Sequence, residues 1–258
     1  MSPVAVDERI AERRREVRDE ARRARLRRTL TVLGLAALLA AGYAVERSSL
    51  VALSEIQVGG TDRLDPDAVI AAADLELGTS TLRLDLGEAE RRVRALPVVA
   101  DVEASRVDPL TVRITVVERE PLLVVSSGSG GVLVDGDGVV MAEGSEDGLV
   151  PVLLPTGTTL PAPGERVGEV PALAAAHRIH RQLPTELRQR IARIEAHSAE
   201  EVDVRLRMPV GDPVLVHLGR AERIDEKARA LHAVLADIGD VAVSSIDVRA
   251  PATPVVRS

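Results

Sequence analysis

Residues 29–45 read TLTVLGLAALLAAGYAV and contain no charged side chain. Such a run must bury every face, in a large core or in lipid. As a helix it covers about 26 Å, the short end of what crosses bilayer hydrocarbon. Six arginines from Arg18 to Arg28 stand hard against its start. A buried soluble helix directly after so dense a charge cluster is uncommon, so a transmembrane helix is expected over 29–48. Arg22, Arg23, Arg25, Arg27 and Arg28 crowd one end, while Arg47 alone lies close beyond the other. This asymmetry places the N-terminus in the cytoplasm. Tyr43 falls near the outer end, where an amphipathic ring suits the interface. A cleaved signal peptide is the competing reading. The long basic region, 1–28, and the length of the apolar run favour an uncleaved signal anchor.

The charge is divided in the same way. Residues 1–28 hold ten Arg and six Asp or Glu, a net of +4 within a chain whose formal net charge is −7. The remainder carries −11, and an acidic far side argues against nucleic acid as its partner. The arm pairs Glu12 with Arg15, and Asp19 and Glu20 with Arg23, at helical spacing. It reads as a solvated tether held near anionic lipid heads.

The 258 residues contain no cysteine, which excludes disulfide frameworks, thiol catalysis and Cys-type zinc sites. Phe and Trp are absent, Tyr43 is the one tyrosine, and Lys227 is the one lysine. Val, Leu, Ile and Ala must therefore fill any core, and aromatic stacking on bases or sugars is not available.

Beyond the span, residues 53–58 predict a short strand closed by Gly59-Gly60. Asp65-Pro66 opens a helix, with Asp as N-cap and Pro at the first position, and Val69, Ile70 and Ala73 give it an apolar face. Asp85 and Glu88 have capping-box spacing for a second helix, carried by Leu86, Ala89, Val93 and Leu96 and ended by Pro97. Val98, Ala100, Val102 and Ala104 alternate with polar residues, as do Val112, Ile114 and Val116, and Asp108-Pro109 makes the turn between them. The order is β-α-α-β-β.

A second module follows. Strands 132–134 and 139–141 flank Asp135-Gly136-Asp137-Gly138, a hairpin turn. Asp135, Asp137 and Glu146 also stand at positions 1, 3 and 12 of a calcium loop, but Val139 and Val140 occupy positions that need a ligand and a glycine. Residues 151–164 read as a loop and 169–183 as a helix. His177 and His180 lie beside its apolar stripe with no third ligand close in sequence, so they read as satisfied or exposed histidines. Strands are expected over 202–208 and 214–218, an amphipathic helix runs through Ile224, Ala228, Leu231, Leu235 and Ile238, and a last strand covers 242–249.

The order of elements, with Val58-Gly59-Gly60, Leu96-Pro97-Val98-Val99, Arg106-Val107-Asp108-Pro109 and Glu118-Arg119-Glu120-Pro121, resembles the POTRA domain of the bacterial FtsQ/DivIB cell-division family. Val98 and Asp108 stand where the family pattern usually has aromatics. The second module resembles the FtsQ β-domain through Leu133-Val134-Asp135, the return Asp137-Gly138-Val139-Val140, His217-Leu218-Gly219, the helix with Lys227, and Ser245-Ile246-Asp247-Val248. The resemblance implies an α+β chain: a cytoplasmic arm over 1–28, one transmembrane helix over 29–48, a POTRA domain over 50–121, a mostly antiparallel β-domain with flanking helices over 122–250, and a C-terminal tail over 251–258.

It further implies a non-catalytic scaffold of the division septum that binds FtsB/FtsL-type bitopic coiled-coil partners and helps regulate septal peptidoglycan synthesis, with no cofactor, metal or small-molecule substrate. Partner binding by strand addition would use the last strand, along which Val243, Ser245, Asp247 and Arg249 alternate; alternatively that strand is an inner one. No nucleophile elbow, P-loop or metalloprotease motif occurs in the sequence. Two other readings are a different POTRA-bearing assembly or secretion component, and a membrane-anchored hydrolase.

Overall fold

The computed structural model describes residues 27–45, 51–128, 130–239, 241 and 243–257. Most of the arm, including Arg22, Arg23 and Arg25 of the orientation set, lies outside the described residues, as does Ala242. Arg27 and Arg28 open helix α1, Arg27–Val45, whose side chains are all exposed and whose most apolar 18-residue stretch has a mean hydropathy of 1.6. Its 19 residues give it the length and composition of a membrane span.

The small module follows the expected order: β1 (Glu55–Gly59), α2 (Pro66–Ala73), α3 (Leu86–Arg94), β2 (Val99–Asp108) and β3 (Thr111–Glu118), with sheet order β1-β3-β2. Helix α2 starts as its sequence dictates. The Asp65 carboxylate accepts the Asp67 N–H, and Pro66 occupies the first turn, where no donor is needed. It stops at Asp74, which turns left-handed and donates its N–H to Ile70 O. Gly60 has φ +79°, and a Cβ there would stand 2.1 Å from the Val116 carbonyl oxygen, so only glycine fits. In β2 the buried residues are Val99 and Val102, while Ala100 is exposed, which departs from the alternation expected from Val98. The Val99 N–H still donates to Leu96 O, so the chain is completing the turn after α3 when the strand begins.

Compactness divides the described chain differently from sequence order. One unit joins the residues up to Gln57 with Leu75–Leu86 and Ser105–Arg113. In it Leu53 and Thr79, Gly78 and Leu53, and Thr81 and Val51 are joined by main-chain hydrogen bonds of 2.7–2.8 Å. The other unit holds Val58–Asp74, Gly87–Ala104 and everything from Ile114. In it Glu90 accepts the Ala104 N–H and Arg94 donates to Val102 O, so side chains of α3 occupy main-chain groups of β2.

From residue 121 the chain adds β4 (Pro121–Ser126), β5 (Gly131–Asp135), β6 (Val140–Glu143), β7 (Val150–Leu153), α4 (Pro171–Gln182), α5 (Thr185–Gln189), β8 (Ile191–Ala196), β9 (Val202–Leu206), β10 (Val214–His217), α6 (Ile224–Ile238), β11 (Ser245–Asp247) and β12 (Val255–Arg257). These strands form one nine-stranded sheet, ordered β12-β11-β10-β9-β8-β7-β4-β5-β6. Three of its pairings are parallel, β4 with β7, β7 with β8 and β10 with β11, and the others are antiparallel. The core is aliphatic, built from residues such as Leu123, Leu173, Ile179, Ile194, Leu218, Leu231 and Ile246. The fold is thus α+β, with mixed sheets behind one apolar N-terminal helix. Strand β7 falls partly inside the segment expected to be a loop, because a short strand paired in parallel on both sides needs no polar alternation to mark it.

Candidate partner-binding edge

The four residues expected to carry partner binding lie on β11 and its flanks. Val243 is half-buried and packs on the aliphatic core, and Ser245 is buried. Asp247 and Arg249 are joined by the Arg249 N–H and Nε, each 3.0 Å from Asp247 Oδ1. Hydrogen bonding from Arg249 holds the Asp247 carboxyl below the usual carboxylate range. Strand β11 runs parallel to β10, matching Leu215 with Ser245 and His217 with Asp247. Next to that match, His217 Nδ1 is 2.9 Å from Asp203 Oδ1 across the β9–β10 pair. The end of β10 is fixed from behind by Lys227, which is buried in α6 and donates to Leu218 O at 2.8 Å and to Arg220 O at 2.7 Å. Burial holds the Lys227 ammonium below its ordinary pKa.

The expected edge is covered. Strand β12 pairs antiparallel with the far side of β11, matching Ser245 with Arg257, Ile246 with Val256 and Asp247 with Val255. Ser244 adds N–H and hydroxyl donations to Arg257 O. The alternative, an inner strand, therefore describes β11 in this structure, and the sheet ends on a segment expected to be tail. All three residues of β12 are exposed, Val255 by 51% and Val256 by 40%. Three residues are too few to show a periodicity, so nothing in the sequence marked them. Near the N-terminal end of β11 lies a groove of about 550 Å³, lined by residues that include Met208, Val210, Val214, Val241, Val243 and Ser244. Val210 and Val241 are among its most exposed walls.

Most of the other singled-out residues have structural partners; the exception is His180, whose buried Nδ1 has no hydrogen-bond partner, against the expectation of a satisfied or exposed histidine. Asp135 Oδ1 accepts the N–H groups of Asp137 and Val139, and its Oδ2 takes Arg119 at 2.7 Å. Glu146 pairs with Arg63. The carboxylates of the calcium-like spacing are thus engaged in the turn and in ion pairs. His177 and His180 are buried in α4, and His177 Nε2 lies 3.3 Å from Asp135 O. Among the described residues no cluster of three or more His, Asp or Glu side chains could hold a metal.

Two family descriptions match the chain in tandem: "POTRA domain, FtsQ-type" over residues 51–119 and "Cell division protein FtsQ/DivIB, C-terminal" over residues 123–249. A protein named "Cell division protein FtsQ" from Streptomyces bingchenggensis is 32% identical over 242 residues, which cover 91% of this chain and 89% of that protein. The chain belongs to the FtsQ/DivIB family of cell division proteins. Proteins of the same name from Mycobacteroides abscessus and Mycolicibacterium smegmatis are 29% and 30% identical over 89% of this chain, and the matched regions cover 69% and 66% of their lengths. The tandem match sets this FtsQ-type chain apart from other POTRA-bearing assembly components. One solved structure, POTRA1-2 of the periplasmic domain of Omp85 from Anabaena, overlaps 30% of this chain and 54% of its own at 23% identity and a TM-score of 0.25, too slight a match to speak to the fold.

Proposed function

We propose that this FtsQ-family chain is a non-catalytic bitopic scaffold of the division septum. The organisation proposed is a cytoplasmic arm over 1–28, a span over 29–48, outer modules over 50–121 and 122–250, and a tail over 251–258 that contributes a strand. FtsB/FtsL-type partners bind the β11 end of the large sheet, and the assembly tunes septal peptidoglycan synthesis. The reading rests on membership of a cell-division family, and the binding site rests on one observation. The nine-stranded sheet ends on a three-residue strand whose side chains are all exposed, next to β11, whose Ser245 and Ile246 are buried. A strand held mostly by main-chain bonds is a weak cap, because burial contributes little to keeping it. A longer partner strand that pairs with β11 gains the same bonds and more, with Val243, Ser245, Asp247 and Arg249 setting its register.

Two measurements test this. Depletion in a host that needs the protein should give unseparated filaments, and a tagged copy should sit at septa; normal division after full depletion would end the scaffold reading. Ser245→Pro in the full chain should abolish co-purification of the partners while the outer region stays folded by circular dichroism. Unchanged co-purification would mean that strand addition at β11 is wrong.

A further inference from the structure

Leu77 and Leu82 are the only described leucines outside α1 that are more than half exposed, at 64% and 66%. They bracket a segment fixed to the first described residues beyond α1. The Gly78 N–H donates to Leu53 O, the Leu53 N–H to Thr79 O and the Thr81 N–H to Val51 O, and Ala52 bridges Ser80. The Thr81 hydroxyl also reaches Pro109 O at 2.7 Å, and Arg106 donates to the carbonyls of Thr81 and Leu84. Val107, beside Arg106, is a third exposed apolar side chain, at 47%. The loop is thus held in place while its leucines stay in water.

Its distance from the bilayer is bounded by chain length. Five residues, 46–50, separate the end of α1 from Val51. Fully extended, that stretch spans about 20 Å, of which the headgroup layer takes up the first several. Leu82 follows directly on Thr81, which is bonded to Val51. The charges nearby nearly cancel: Glu76, Arg83 and Asp85 in 75–86 oppose Arg106, Asp108 and Arg113 in 105–113. Approach to a lipid surface therefore meets no strong repulsion and needs no anionic lipid.

We propose that the 75–86 loop docks on the outer surface of the bilayer that α1 crosses, inserting Leu77 and Leu82 at the headgroup–acyl boundary. The proposal rests on the reading of α1 as a span. Exposed leucines on a fixed loop at such a surface bury apolar area that is otherwise hydrated. A span alone gives the outer region one point of attachment to the bilayer. A second contact point would fix how the outer region is presented to partners.

The absence of native cysteine permits a direct test. The full chain with Glu76→Cys, labelled with a small fluorophore, is reconstituted into phosphatidylcholine vesicles with and without nitroxide-labelled acyl chains. Quenching at position 76 should be severalfold greater than in the same protein carrying Leu77→Ser and Leu82→Ser. Equal quenching in the two proteins overturns the docking. A label at Leu38→Cys separates the causes of failure. If it is quenched while position 76 is indifferent to the leucines, the loop proposal alone falls; if it is not quenched, α1 does not span and both readings fall. Shielding of position 76 that appears only after FtsB/FtsL-type partners are added would make the leucines a protein contact and also overturn the proposal.

Discussion

Arg119 places Nη1 2.7 Å from Asp135 Oδ2, and the two side chains are only 16% and 5% exposed. Arg119 also donates its main-chain N–H to Val98 O, while Asp135 closes its own turn through the N–H groups of Asp137 and Val139. One ion pair thus ties the chain at the end of β3 to the tip of the β5–β6 hairpin. Removing one partner of a buried pair leaves the other charge unpaired. Asp135→Ala should lower the unfolding free energy by about 3–5 kcal/mol, and the double variant with Arg119→Met should cost less than the sum of the singles. Urea unfolding of the four proteins measures both; strict additivity would mean the pair is not coupled.

Lys227 is a lysine used as a structural clamp. Its Nζ satisfies the carbonyls of Leu218 and Arg220, where the chain leaves β10 and turns into α6. Methionine at this position would fill similar volume but leave both carbonyls short of a donor, and Lys227→Met should destabilise by about 1–3 kcal/mol. Arginine is no remedy, since its longer and bulkier guanidinium has to be fitted into the buried site that the compact ammonium occupies. Thermal unfolding of Lys227→Met and Lys227→Arg should show both below the parent.

Acid sensitivity should trace in part to α4. Burial pushes His180 from an ordinary 6.5 down to about 4, aided by the charges of Arg188 and His177, and burial lowers His177 as well. The folded state therefore resists protons that the unfolded chain accepts. The contribution is complete above pH 6.5 and is lost as pH falls toward 4, amounting to about 3 kcal/mol for His180. His180→Gln should flatten stability against pH between 6.5 and 4, while leaving the slope due to His177 in place. An unchanged slope would show that His180 does not resist protonation.

What was legible in the sequence, and what was not, follows from range. Asp65 and Pro66 announced α2 because a cap and its helix are neighbours in the chain. The alternation from Val202 to Leu206 announced β9 because one face of a strand is written every second residue. Strands β4 and β7 carry apolar runs without alternation, and both partners of β7 are distant in the chain, so no local period identified them. The ion pair of Arg119 and the three N–H groups of residues 62–64 that converge on Glu118 join positions far apart in sequence. The tetrad Glu118-Arg119-Glu120-Pro121 was visible as a family motif, but its physical work, a carboxylate holding one loop and a guanidinium holding another, belongs to the fold. At the candidate edge the side-chain pattern of 243–249 was readable. Its coverage by β12 was not, because pairing across a turn of seven residues, 248–254, leaves no mark in three residues.

That coverage gives the sharpest test of how partners engage. If β12 holds the place of a partner strand, removing it should help binding. Deletion of residues 254–258 frees the main chain of Ile246 and its neighbours and should raise capture of FtsB/FtsL-type partners severalfold. A clamp should do the reverse: Asp247→Cys with Val255→Cys faces two thiols across matched positions of an otherwise cysteine-free chain, and oxidation should abolish capture until reductant is added. Hydrogen exchange without partner provides an independent measure, since amides of 255–257 should exchange faster than those of β9 and β10 if the cap opens locally. Slow exchange in β12 would make it a permanent edge, and partners would then have to add outside it, in which case the deletion should weaken capture rather than strengthen it.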